Sequence, residues 1–336
     1  MFFENFVKYV TDRGGIIKPL LVDPSLTNGL GLMNPSVYND NGRIIVNIRS
    51  VNYTLYNCDT QEYEHAWGPL VYIHPEDFLV LATENYISIL DDNLDQVKTT
   101  KVDTSSFDTP PIWDFHGLED ARLVKWDDKF YMTGVRRDCN TIGCGRMELS
   151  EIEITDDYVK EISRTRVPTP GPPGDGTAYC EKNWMPVQDL PYHYVKWGNP
   201  TEVVKYNMDT DLTHTITTTD RDSSIPHDLR GGSQVIPYKD GYLGLHHITY
   251  LYKVPAGRRD GKYRHQFTYW DKNWNPIKRS SVFSFLSAKV EFTCGMCEYN
   301  DTYLITFGFM DNAAYILQVP KDVLHDFIFN IDSTYE

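Results

Sequence analysis

An all-β chain is what these 336 residues predict. Three observations lead there. Short apolar runs rich in Val, Ile, Tyr and Phe recur at strand length, and few segments show a helical period. Clusters of Asn, Asp and Gly punctuate those runs, as hairpins require. Aromatic residues reach 13%, with 23 Tyr and 7 Trp, which favours pleated, half-buried surfaces. Flat aromatic faces also suit sugars, so the enrichment alone does not separate a structural use from a binding one.

Taken in order, residues 2–12 predict a short amphipathic helix. Its acid at position 4 and the lack of a long apolar core do not describe a signal peptide. Strands are expected at RIIVNIRSV (43–51), FLVLAT (78–83), YISIL (86–90), FYMTGV (130–135), QVIPY (234–238), YLGLHHITYLY (242–252) and TYLITFGF (302–309). Turns are expected at NDNG (39–42), WDDK (126–129), YKDG (238–241) and YNDT (299–302). The tail PKDVLHDFIF (320–329) predicts a second helix, with Pro320 suited to its first turn.

These turns sit in a recurrent unit, in which a strand ends in a tight turn and the next strand follows at once. It reads SVYNDNGRIIVNIR, ARLVKWDDKFYMTGV, QVIPYKDGYLGLHH and MCEYNDTYLITFG, with a weaker copy from NWMPV and its return strand at TEVVKYN. Units beginning near 34, 120, 183, 231 and 294 predict one five-bladed β-propeller domain over 1–336, with short terminal helices. A two-sheet sandwich fits less well, because five similar units exceed what it requires.

The net charge of −15 argues against duplex nucleic acid or an anionic membrane as partner. No run approaches the roughly 20 apolar residues of a membrane span. Six cysteines include one CxxC, Cys294 to Cys297, with no second pair to complete a zinc site. Reduced thiols and a cytoplasmic protein are the expectation. HExxH, EF-hand and P-loop patterns are absent. The Asp209–Asp211 pair reads as a turn between strands, so no metal and no cofactor are expected. Association with further copies is compatible with the sequence.

A propeller brings the inner ends of its blades to one axis, so polar residues at equivalent places should meet. Blade one offers Asn34, Arg49 and Asn52. Blade two offers Glu119, Asp120 and Arg122, followed by Arg136 and Arg137. Blade three offers Lys182 and Asn183, blade four Gln234, His246, His247 and Tyr263, and blade five Glu291 and Asp311. Asp120 is the candidate general acid or base, its pKa pulled up by the neighbouring acid and down by Arg122. The basic set suits an anion such as phosphate or diphosphate. A solvated loop would equally place Arg136 and Arg137. Strand alternation sends only one of His246 and His247 inward.

The ordered motifs NPSV, GLEDARLV, EKNWMP, GGSQVIP, LGLHH, YRHQF and VEFTCGM, closing with FGFMDNAAYIL, carry a resemblance. The chain from about residue 34 to 325 resembles the β-mannoside phosphorylases of glycoside hydrolase family 130. It resembles still more the related β-1,2-mannosyltransferases of yeasts and trypanosomatids. The resemblance implies a five-bladed propeller and an inverting single displacement. Asp120 would be general acid in phosphorolysis and general base in synthesis. Phosphate would fall to Arg49, Lys182, His246 or His247, and Tyr263. Asp311 would hold the sugar in the catalytic subsite, with Glu291 at a matching acidic position. The usual proline of the Glu-Asp-Pro-Arg motif is Ala121 here, which alters rigidity more than chemistry.

The expected function is transfer of a sugar, mannose by resemblance, from a nucleotide sugar or sugar-1-phosphate donor to a carbohydrate acceptor. A phosphorylase using inorganic phosphate is the alternative. A hydrolase would need Glu291 or Asp311 as a second carboxylate, and a silent sugar-binding propeller would need none of this chemistry.

Overall fold

Tight turns build this chain. In the turn at 39–42, Asn41 and Gly42 take φ of 53° and 97°, and the Asn39 side chain accepts a bond from Gly42 N at 2.7 Å. In the turn at 126–129, Asp127 and Asp128 both take positive φ, 49° and 63°. Two successive residues in that region match the right-handed twist of a hairpin, and Asp and Asn tolerate it better than branched residues do.

The computed structural model describes residues 2–27, 31–53, 80–170, 180–225, 228–253 and 259–331. Its strands form the five blades of a propeller. Blade one comprises Gly31–Asp40, Arg43–Val51, Leu81–Leu90 and Gln96–Asp103. Blade two comprises Glu119–Trp126, Lys129–Arg136, Arg146–Ile154 and Val159–Arg166. Blade three comprises Met185–Pro186, His193–Gly198, Thr201–Asn207 and Leu212–Thr218. Blade four runs Ile236–Tyr238, Gly241–Lys253 and Arg259–Asp271, with Pro276–Arg279 and Val282–Phe283 both pairing with its third strand. Blade five comprises Glu291–Tyr299, Thr302–Phe309 and Ala313–Pro320. Its fourth strand comes from the other end of the chain: Ile16–Leu20 pairs antiparallel with Ala313–Pro320.

Hydrophobic clusters fill the seams between blades. Ile45, Ile87 and Val102 meet Leu123, Met132 and Ile152 between blades one and two. Trp126 and Tyr131 meet Trp184 and Tyr194 between two and three. Val195 and Val203 meet Trp270 and Trp274 between three and four. Phe267 meets Ile305 and Phe307 between four and five, and Leu304 and Ile316 meet Val46 and Tyr86 between five and one. Two indoles also bond across seams, Trp126 Nε1 to the Val187 carbonyl at 2.9 Å and Trp270 Nε1 to Thr201 Oγ1 at 3.0 Å. Much of the aromatic content is therefore blade-to-blade packing.

Some local expectations change. Phe2–Phe3 is a strand paired parallel with Val282–Phe283, so the first helix covers only Phe6–Thr11, capped by the Asn5 side chain on Lys8 N at 2.8 Å. The last helix, Lys321–Phe329, begins one residue after Pro320 and buries Val323, Leu324, Phe327 and Ile328. YISIL and the end of FLVLAT belong to one strand, because Thr83, Glu84 and Asn85 keep pairing with blade one's second strand. Phe78 and Leu79 lie outside the described residues, as does Cys58. In blade three the return strand is His193–Gly198, and the segment TEVVKYN is the third strand. The short strand is hidden by its His and Lys. Among the described residues, no helix is long and apolar enough to cross a membrane.

Candidate active site

Two blades carry the same irregularity in their innermost strands. Blade one's register shifts between Met33 and Ser36, and blade two's between Glu119 and Arg122. Each bulge holds a polar residue at positive φ, Asn34 at 44° and Asp120 at 51°. A bulge re-aims a side chain, and these two are aimed at each other: Asn34 Nδ2 donates to Asp120 Oδ1 at 2.7 Å. Asn183 in blade three and Asp311 in blade five also take positive φ, 63° and 52°. Such conformations cost about 1–3 kcal/mol each and persist only where the surroundings enforce them.

Arginines enforce them here. Arg49 is buried and donates Nη1 to Asp120 Oδ1 at 2.6 Å, Nη2 to the Tyr53 hydroxyl at 2.6 Å and Nε to Thr83 Oγ1 at 3.2 Å. Glu119 lies 3.8 Å from the same guanidinium and 3.5 Å from Arg137. Arg122 is wholly buried and grips backbone. It donates Nη1 to the Asp120 carbonyl at 2.6 Å, Nε to the Gly232 carbonyl at 2.9 Å and Nη2 to Asn183 Oδ1 at 3.5 Å. Three blades are thus tied to one guanidinium, whose rigid fork suits several acceptors. A Cβ at Gly231 would lie 1.7 Å from the Asn183 carbonyl, so this approach requires glycine.

The two acids here titrate far apart. Burial pushes Asp120 up, but Arg49 and Arg122, with the Asn34 bond and Lys182, more than offset it and hold Asp120 at about 2. Burial pushes Asp311 up to about 6, where Arg49 opposes the shift and Asp120 adds to it. Near neutral pH the cluster therefore offers one firmly ionised carboxylate beside one poised to take a proton. Environments that push two carboxyls apart are how acid and base roles are divided.

His247 borders this cluster. Its Nδ1 sits 2.8 Å from the Gly231 carbonyl. A carbonyl only accepts, so Nδ1 carries the proton and Nε2 is an acceptor. Burial drives its pKa well below the ordinary value, so the ring is neutral. Tyr263 stacks on it at 5.7 Å and Phe292 meets its edge at 4.7 Å. Lys182 is exposed, and its charge acts on both Asp120 and His247.

Four residues expected at the site are spent elsewhere. Gln234 is fully buried, donates Nε2 to the carbonyls of Val37 and Leu123 at 2.9 and 2.8 Å, and accepts from Met296 N at 2.8 Å. One amide thereby joins blade four to blades one, two and five. Asn52 clamps the backbone at Val80 and Ala82. Glu291 accepts from the amides of Phe285, Leu286 and Ala288 at 2.6, 2.7 and 2.9 Å, which fixes the loop before blade five. His246 points to the other face of its strand, against Trp270 and over Gly198. The Asp209–Asp211 pair is a hairpin tip, where Asn207 Oδ1 accepts from Asp209 N and Thr210 N and Asp211 accepts from Tyr206. Sequence reasoning missed Tyr53 and Thr83, which hold Arg49, and Phe292, which underlies His247. None of them stands in a distinctive motif. Among the described residues, no group of three or more His, Cys, Asp or Glu is placed to hold a metal.

No protein-family model matches the chain, and no curated protein matches it. Solved structures do. A β-1,2-mannobiose phosphorylase from Listeria innocua aligns with a TM-score of 0.53 at 15% identity, over 93% of this chain and 96% of that one. A glycosyl hydrolase from Bacteroides ovatus aligns at 0.56 and 13% identity, over 95% and 94%. A member of the GH130 mannoside phosphorylase family, described with glycoside hydrolases that target β-1,2-mannosidic linkages in Candida mannan, aligns at 0.54 and 14%, over 87% and 85%. Across nearly its whole length, then, the chain shares its five-bladed β-propeller fold with the mannoside phosphorylases and hydrolases of glycoside hydrolase family 130.

Proposed function

We propose that the chain is an inverting carbohydrate-active enzyme that transfers a sugar, mannose in the first instance, from a phosphate- or nucleotide-linked donor to a carbohydrate acceptor. One observation carries the reading: a largely but not fully buried carboxylate kept ionised at the axis, with Asn34 and two arginines fixing its position. An ionised Asp120 is ready to take the proton of an acceptor hydroxyl as that oxygen attacks the anomeric carbon. The phosphate leaving group departs from the opposite face, where cations lower the cost of its charge. Lys182 is the cation proposed for that role, because Arg49 already holds the base itself, 2.6 Å from Asp120. His247, neutral with Nε2 accepting, suits a sugar hydroxyl better than a phosphate oxygen, and Asp311 suits a second hydroxyl. Asn183 is a further proposed sugar contact.

A second reading, phosphorolysis of a β-mannoside, is supported by Asp311, since a carboxyl pushed up to about 6 takes up at mildly acid pH the proton that the reverse reaction needs. The same-fold phosphorylase from Listeria innocua is in keeping with it. Hydrolysis with Glu291 as base draws no support, because three amides occupy that carboxylate.

The test is incubation with GDP-mannose or mannose-1-phosphate and a panel of sugar acceptors, following GDP, phosphate and new glycoside. Turnover of GDP-mannose alone supports the nucleotide donor, and turnover of mannose-1-phosphate alone supports the phosphorylase. Failure of both donors with every acceptor overturns the transfer reading.

A further inference from the structure

A recess of about 360 Å³ opens between blades one and two. Asp120 and Arg49 are not among its lining residues. Strand Leu81–Leu90 and the end of strand Gln96–Asp103 form one wall, Met132 and Ser150 of blade two form the other, and His116–Leu118 closes the inner end. The partition from the axis is one side chain thick: Thr83 lines the recess and its hydroxyl accepts from Arg49 Nε at 3.2 Å. Gly117 makes that closeness feasible. It holds φ of 99°, and a Cβ there would lie 2.3 Å from the Thr83 carbonyl.

The lining selects a class of ligand. Its volume falls at the small end of the roughly 300–1,000 Å³ typical of ligand pockets. Among the described lining residues, Lys101 and Arg136 are both engaged, Lys101 with Glu84 at 2.5 Å and Arg136 with Glu148 at 3.1 Å. Asp103 and Asp108 also line it, so among the described residues three carboxylates face two paired cations, which disfavours an anion. Hydroxyls of Thr83, Thr104 and Ser105 share the surface with the apolar Leu118 and Met132. Polar edges beside an apolar floor match a pyranose, which presents hydroxyls at its rim and C–H groups on its faces.

We propose that this recess is a second binding site, for a neutral, hydroxyl-rich saccharide unit, distinct from the axial cluster. The proposal rests on the reading of the chain as carbohydrate-active. A unit bound there touches the same Thr83 that steadies Arg49, so occupancy reaches Asp120 through one hydrogen-bonded side chain.

The experiment is calorimetric and NMR titration of the full chain with β-1,2-mannobiose, with inorganic phosphate as a charged competitor. Two saccharide equivalents are expected, one of them unaffected by phosphate. Ser105→Trp, a change at an exposed position, should fill the mouth and weaken that equivalent tenfold or more. Lys101→Ala, also at an exposed position, should weaken the same equivalent at least threefold, and circular dichroism checks that both variants fold. A single equivalent that neither variant affects overturns the proposal, as does phosphate displacing sugar from the Ser105-sensitive site. Donor turnover with only that single equivalent defeats the recess and leaves the transfer reading standing. Sugar in the recess without turnover of any donor does the reverse.

Discussion

Asp120 and Asp311 share Arg49 as a neighbour and yet pull stability in opposite directions. Asp120 titrates below its ordinary 3.8, so its contribution is present above about pH 4 and is lost as pH falls toward 2. Asp311 titrates above 3.8, near 6. The folded chain keeps a proton there that the unfolded chain releases, so stability falls as pH rises from about 4 to 6 and stays lower beyond. Asp311→Asn should therefore raise the melting temperature at pH 7 by a few degrees and flatten the slope between pH 4 and 6, as scanning calorimetry would record. An unchanged slope would show that Asp311 does not titrate in that window. Asp120→Asn should keep the fold and lose roughly 10²–10⁴-fold in turnover. An active Asp120→Asn variant would remove the proposed base. Arg122→Lys keeps the charge but cannot reach three acceptors. Stability should drop by about 1–3 kcal/mol in urea unfolding, since buried carbonyls lose donors, and turnover should fall with it as Asp120 loses its backbone anchor.

At the scale of elements, side chains supplement the few backbone bonds between blades, such as Val235 N to the Pro186 carbonyl at 2.9 Å across blades three and four. Gln234 is the clearest case, reaching two carbonyls and one amide on three other blades. Gln234→Ala should cost at least about 1–3 kcal/mol, since buried backbone groups on three blades lose their partner, measured by denaturant unfolding. A substrate ligand would behave differently, raising KM while leaving stability nearly unchanged. The bulges at Asn34 and Asp120 act at the same scale: each re-aims one side chain without interrupting the strand that carries it.

For the whole molecule, closure is the decisive event. Blade five is completed by Ile16–Leu20 pairing with Ala313–Pro320, and Phe2–Phe3 stitches onto blade four. Removing residues 1–20 should expose the Ala313–Pro320 edge, an open row of unpaired backbone groups. The truncated chain should melt at lower temperature and self-associate in size-exclusion chromatography, whereas a monomer of native stability would show that closure lies elsewhere. Because the axial cluster draws on all five blades, the truncation should also lower activity without touching any residue of the site.

How far the sequence reaches can be judged from particular residues. Turn chemistry at NDNG and WDDK is local, so the hairpins and the blade order were legible, and Asp120 stood out because Glu-Asp-x-Arg is a compact motif. The return strand at His193–Gly198 was not, because a two-residue inner strand and a polar second strand leave little periodic signal. Gln234 and Glu291 looked like ligands, since a sequence shows that a residue is polar but not which backbone groups will meet it. Tyr53 and Thr83 gave no signal at all, as their role exists only once Arg49 lies between them. What the sequence determined alone was therefore what depends on near neighbours: strand length, turn type and the order of the blades. Which polar side chains face the axis, and that Asp120 is ionised while Asp311 is poised near 6, was decided only by the tertiary structure. Burial and charge pairing arise between residues far apart in the chain, and no local pattern encodes their distances.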